Sequence, residues 1–155
     1  MIDIFKEIKN KESKACLLIV GDGPERNNLE KVIEESNLQN DVILLGRRDD
    51  VNLLMMAMDV FLFPSLYEGL GLVAIEAQAA GLKCIVSENV PVPNLTGLVK
   101  TLYLKDSNKV WAKNVLEPVN FERSSAQEYI KKGNYDIATE TKKLESFYLN
   151  HTWKV

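Results

Sequence analysis

The sequence predicts an α/β protein built on a doubly wound, mostly parallel sheet with helices on both faces. Three observations predict it. Short apolar runs of strand length recur at 15–20, 41–45, 59–63 and 83–87, and between them lie segments with helical spacing of apolar residues. The connections are short, as in βαβ units. Two of the runs end in glycine turns, Gly21-Asp22-Gly23-Pro24 and Gly69-Leu70-Gly71, that lead directly into helices.

The elements follow in order. Ile2, Ile4, Phe5 and Ile8 at helical spacing make an opening helix over about 2–10, and Lys9-Asn10-Lys11-Glu12-Ser13 is a polar turn. Ala15 to Val20 is a strand, and Pro24 is placed to open a helix carrying Leu29, Val32 and Ile33. Asp41 to Leu45 is the next strand. The helix from Val51 to Met58 sets Leu54, Met55 and Met58 toward the sheet, the methionines reading as filler. Asp59 to Phe63 is a strand stopped by Pro64-Ser65, and Leu72 to Ala80 is a helix. Lys83 to Ser87 is a strand, and Glu88 to Gly97, with Pro91 and Pro93, is a loop that cannot ladder. Leu98 to Leu104 alternates enough to be an edge strand. Val110 to Leu116 is a short helix broken by Glu117-Pro118. Residues 123–150 form amphipathic helices parted at Gly133-Asn134, with Ile137, Thr141, Leu144 and Tyr148 in register.

Composition bounds the function. A chain of 155 residues with 46% apolar content suits one soluble globular domain. No run reaches the 18 or so apolar residues that span a bilayer, and no signal-type leader is evident, so a cytoplasmic location is expected. The net charge of −3 argues against a general nucleic-acid surface. Cys16 and Cys84 fall within predicted buried strands and read as core thiols. His151 is the single histidine, and there is no Asp-x-Asp pair, so neither a metal site nor a Ser-His-Asp triad is expected.

The most informative segment runs from Phe63 to Ala77. Gly69 and Gly71 permit positive φ and leave the backbone open to a ligand. The helix that follows has Val73, Ala77 and Ala80 on one side and Leu72, Ile75 and Ala79 on the other, so it reads as buried around most of its circumference. Glu76 lies inside it, where an unpaired carboxylate would cost roughly several kcal/mol. Strand, glycine turn and helix N-terminus together make an anion site, because the first-turn N–H groups are unpaired and the macrodipole adds about half a positive charge. The helical rise sets Glu76 roughly 6 Å beyond Leu72, where a ribose would lie if its phosphate capped the turn. Glu68 lies across the glycines, within reach of a sugar on the far phosphate. Taken alone, the two glycines are a weak signal that fits better a plain tight turn, with Glu68 solvated and Glu76 paired with a lysine or arginine. Pro-Ser before the turn, Glu-Gly-x-Gly within it and Ile-Glu-Ala-x-Ala-x-Gly after it restrict the pattern further.

Val20-Gly21-Asp22-Gly23-Pro24-Glu25-Arg26, Val42 to Arg47, Asp59 to Ser65, Glu68 to Glu76 and Ala77-Gln78-Ala79-Ala80-Gly81 resemble the C-terminal, donor-binding domain of GT-B glycosyltransferases of retaining family 4. The bacterial capsular and exopolysaccharide type is the nearest in style, and the likeness runs from about residue 2 to 150. The resemblance implies a Rossmann-like sheet forming the C-terminal half of a GT-B fold. It implies that amides at Gly69, Leu70, Gly71 and Leu72 hold the diphosphate of a nucleotide sugar, that Glu68 contacts the donor sugar as the catalytic candidate, and that Glu76 binds the ribose diol. Arg47 is the candidate for base contact, although a solvated cluster of Arg47-Arg48 with Asp49-Asp50 reads equally well.

Family members open this domain with a strand ending near Val-Gly-Arg and a lysine soon after, and this chain has no such segment. It is therefore expected to be a fragment, one domain over 1–155 that lacks its first strand and the N-terminal acceptor domain. The missing strand would be central, separating Ala15–Gly21 from Asp59–Phe63. The partners implied are a nucleoside diphosphate sugar and a glycan or lipid-linked acceptor, with no cofactor and no metal, and with peripheral membrane association left open. The isolated chain is expected to have little or no activity. The alternatives are a non-enzymatic nucleotide-binding remnant and a fragment of a GT-B-like nucleotide-sugar 2-epimerase. The final helix either crosses to the N-terminal domain or docks on its own sheet.

Overall fold

The computed structural model describes residues 1–150. The order is α1 (Ile2–Lys9), β1 (Leu17–Val20), α2 (Arg26–Glu35), β2 (Val42–Gly46), α3 (Val51–Ala57), β3 (Val60–Phe63), α4 (Leu72–Ala79), β4 (Lys83–Ser87), β5 (Val99–Leu102) and α5 (Asn108–Leu116). A 3-10 turn at Arg123–Ser125, α6 (Ala126–Lys132) and α7 (Ile137–Asn150) complete it. This is the expected alternating α/β chain, with all strand pairs parallel.

The strands form two sheets rather than one. β1 pairs with β2, while β3, β4 and β5 pair in that order. β1 and β3 share no ladder. β5 lies at an edge, as its alternation predicts, but is shorter than the 98–104 run.

Strand alternation divides the core into two layers. Val60 and Leu62 of β3, Ile85 of β4 and Leu102 of β5 point to one side, where Phe5 and Ile8 of α1 meet Trp111 and Ala112 of α5. Leu17, Ile19, Val42 and Leu44 of the smaller sheet join this layer, together with Ile33 of α2. Phe61, Phe63, Cys84 and Val86 point to the other side, against Met55 of α3 and Ala74 and Ala77 of α4. Every residue of β4 is buried, including Lys83, whose ammonium donates to the carbonyls of Val115 in the last turn of α5 and of Glu117 just past it. Burial lowers the pKa of that amine.

One other expectation is corrected. Cys16 precedes β1 and is exposed, because the strand begins at Leu17; Cys84 is buried as expected, and burial pushes its thiol up to about 12. Of the two courses left open for the final helix, docking on its own sheet finds no support, since no described residue of α7, including Ile137, Thr141, Leu144 and Tyr148, is buried. His151 lies outside the described residues. No helix among the described residues is long and apolar enough to cross a membrane.

Candidate functional site

The segment from β3 to α4 begins at Pro64-Ser65, where the apolar strand stops. The Ser65 hydroxyl lies 2.9 Å from Glu68 Oε1 and 3.2 Å from the Tyr67 carbonyl, so Glu68 is tethered inside its own loop and half-buried. The loop is also tied to the end of β4. The Ser87 hydroxyl donates to the Ser65 carbonyl at 2.5 Å, and the Asn89 side-chain amide donates to the Leu66 carbonyl at 2.9 Å.

Gly71 is the N-cap of α4 and sits at φ 63°, ψ 42°, a left-handed conformation that glycine adopts without strain. It is buried, and an added Cβ would come within 2.7 Å of Val90 Cγ1. The N–H of Ala74 donates back to the Gly71 carbonyl at 2.9 Å. No side chain caps this helix, and among the described residues the N–H groups of Gly71, Leu72 and Val73 have no acceptor. These are the unpaired donors that favour an anion. The far end of α4 is closed by a paired motif: Leu82 N–H donates to Ala77 O and Gly81 N–H to Gln78 O, with Gly81 at φ 70°. Donors therefore remain open only at the end facing the carboxyl ends of the strands, where α/β sheets place ligands.

Glu76 is not sequestered. The inner side of α4 carries Ala74, Ile75, Ala77 and Gln78, while Leu72, Glu76 and Ala79 form an exposed stripe at i, i+4 and i+7. The helix reads as apolar all round because its outer side carries leucine and alanine, yet Leu72 is 59% exposed. The Glu76 carboxylate makes no hydrogen bond or ion pair among the described residues. It borders a groove of about 440 Å³ between α3 and α4, together with Asp49, Asn52, Met55 and Met56. Arg123 fixes the wall of this groove: its guanidinium donates to the carbonyls of Met56 and Met58 at the end of α3, while its backbone lies where a Cβ on Gly81 would meet it at 2.9 Å.

The two arginines after β2 separate. Arg48 and Asp50 form a two-pronged pair, Nε to Oδ1 at 2.8 Å and an Nη to Oδ2 at 2.6 Å. That hydrogen bonding raises the pKa of Arg48 and lowers that of Asp50, both at the surface. Arg47 has no ion pair among the described residues and lines a shallow recess of about 290 Å³ with Asp22 and Gly23. A positive side chain without an ion-pair partner and free amides at a helix start are thus set where the chain leaves strand ends, and the groove bearing a carboxylate lies between the helices that follow. The roles of Asp22, Gly23 and Asn52 in lining these hollows were not assigned from sequence; their signal is position, each just past the end of a strand or in the helix after it. Gln78 was missed as well.

A sequence profile of the family described as glycosyl transferases group 1 matches residues 1–134. The chain belongs to this family. The EpsF protein of Bacillus subtilis, named as a glycosyltransferase, is 36% identical over 133 residues, covering 84% of this chain and 34% of that protein. An Escherichia coli enzyme named UDP-Gal:alpha-D-GlcNAc-diphosphoundecaprenol alpha-1,3-galactosyltransferase is 46% identical over 74 residues, covering 47% of this chain and 19% of its own length. Among solved structures, TarM superposes with a TM-score of 0.75 at 22% identity, covering 97% of this chain and 32% of TarM. Anabaena Alr3699/HepE, solved with UDP and glucose, superposes at 0.69 with 17% identity, covering 97% of this chain and 45% of that one. These likenesses place the group 1 chain in the Rossmann-like half of the GT-B fold. It spans about a third of the length of EpsF.

Proposed function

We propose that this chain is the donor-binding half of a retaining glycosyltransferase, of family 4, that moves a hexose from a nucleoside diphosphate sugar to a glycan or lipid-linked acceptor in polysaccharide assembly in the cytoplasm. The observation that carries the reading is the set of free N–H groups at Gly71, Leu72 and Val73, beside a groove bordered by the unpaired Glu76 carboxylate. Names of relatives support it: one acts on a UDP-galactose donor and a diphosphoundecaprenol-linked acceptor, and one neighbouring structure holds UDP and glucose.

In this reading the diphosphate lies on the amides of residues 69–72. Charge builds on the leaving diphosphate as the glycosidic bond breaks, and dipoles already fixed in place stabilise it without reorganising, which is the largest single contribution such a site can make. No metal or cofactor is required of this chain. Glu76, about one helical turn further along, accepts hydrogen bonds from the ribose diol, and its exposed groove admits that ring. Glu68, held by Ser65, meets the donor sugar. Arg47 serves the base from the recess it shares with Asp22 and Gly23. Retention is then a matter of orientation between donor and acceptor.

Calorimetric titration of the chain with UDP and UDP-sugars tests this. Micromolar binding that is lost in Glu76→Ala supports the donor site. Absence of binding at millimolar nucleotide favours a remnant that keeps the fold without the chemistry.

A further inference from the structure

We propose that Gln78 is a positioning residue for the diphosphate turn, acting through the loop between β4 and β5; the proposal rests on the donor-site reading above. Gln78 is completely buried, which is unusual for a glutamine. Its amide saturates its hydrogen-bonding capacity. Nε2 donates to the Pro93 carbonyl at 3.0 Å and to the Ala74 carbonyl of its own helix at 3.3 Å. Oε1 accepts from the Leu95 N–H at 2.8 Å, with the Thr96 N–H and hydroxyl both at 3.4 Å.

The loop has reason to depend on this side chain. Two prolines, Pro91 and Pro93, deny it ladder bonds, yet Pro93 and Leu95 are half-buried and Thr96 is buried, so their backbone groups need partners within the protein. Gln78 supplies them at residues 93–96. Val92 and Val90 lie one and three residues before Pro93 and are joined by a bond from Val92 N–H to Val90 O at 2.8 Å. Val90 is buried, and its Cγ1 stands 2.7 Å from the point where a Cβ on Gly71 would be. Val92 stands 3.9 Å from the same point. The loop is therefore the roof over the residue whose left-handed backbone aims the free amides. One buried side chain on the inner face of α4 thus governs the geometry at that helix's own N-terminus, one and a half to two turns away, by way of a separate loop.

The test uses Gln78→Leu, which keeps the volume and removes the polar ends, and Val90→Ala, which breaks the contact with Gly71 while leaving Gln78 intact. Two measurements are made on each: UDP affinity by calorimetry, corrected for folded fraction, and amide hydrogen exchange at Ala74, whose N–H bond to Gly71 reports the turn. Both variants are expected to weaken UDP binding about ten- to a hundredfold, the usual consequence of displacing a binding group by a fraction of an ångström to an ångström, and to speed exchange at Ala74. A purely structural glutamine predicts lower thermal stability for Gln78→Leu with UDP affinity in the folded fraction and Ala74 exchange both unchanged; that result overturns the proposal. If the unaltered chain binds no UDP, the donor-site reading fails, and the exchange data alone then decide whether Gln78 governs the turn. Should Gln78→Leu fail to fold, Val90→Ala leaving Ala74 exchange unchanged is enough to reject the coupling.

Discussion

Gly71→Ala is the sharpest perturbation of the turn. Two costs add. A non-glycine residue held at φ 63° loses roughly 1 kcal/mol or more relative to an ordinary conformation. The new methyl would also meet Val90 Cγ1 at 2.7 Å, closer than carbon atoms approach, so Val90 or the helix start must shift. Overpacking of this kind costs typically about 1–3 kcal/mol. Together they predict about 2–4 kcal/mol of destabilisation, seen as a lower midpoint in urea unfolding with little change in slope. For a domain of this size that corresponds to a fall in Tm of roughly 5–15 °C. Gly69→Ala is the internal control: a Cβ there meets nothing within 4 Å and the residue is not in the left-handed region. It should change stability by no more than about 0.5 kcal/mol. Equal stability of the two variants would refute the reasoning, because neither the strain at residue 71 nor its contact with Val90 would then be real.

Arg47 and Arg48 should part company experimentally. Arg47→Ala is expected to weaken nucleotide binding several-fold with stability unchanged, whereas Arg48→Ala, which removes only a surface pair, should leave both nearly unchanged; the reverse pattern in calorimetry would reassign the base contact. Thiol titration in the native protein should label Cys16 quickly and Cys84 only after unfolding. Because burial raises the Cys84 pKa from 9.0 to about 12, its contribution to stability is complete below pH 9 and is lost as the pH rises from there toward 12. Substituting Cys84 by alanine should flatten that alkaline loss in a pH series of urea melts.

The strands were legible because each is a short apolar run whose neighbours in sequence are turn formers. β4 is the clearest, with Cys84, Ile85 and Val86 apolar in succession and all buried. The glycine turn was legible too, since Gly71 combines a left-handed backbone with a site that has no room for a Cβ beside Val90. What failed did so for physical reasons. Local composition made α4 look buried all round, but small alanines and Leu72 can face solvent at little cost, and only the placement of α3 reveals that Glu76 borders an open groove. Cys16 was misplaced by one residue at a strand start, where boundaries are least determined. α7 carries helical periodicity, yet periodicity states only that one side is apolar and says nothing of what covers it. Gln78 was invisible from sequence because its partners lie 15 to 18 positions further along, in a loop whose path depends on the sheet.

In the proposed reading a nucleoside diphosphate rests on the amides of residues 69–72 while the Glu76 carboxylate holds the ribose. Amide chemical-shift mapping of the isotope-labelled chain titrated with UDP tests it most directly. The largest shifts should fall on Gly69 to Val73, with a second group at Glu76 and Arg47, and Glu76→Ala should remove saturation at micromolar nucleotide. Saturable binding whose shifts cluster away from the β3–α4 turn, or that is indifferent to Glu76→Ala, would contradict the account.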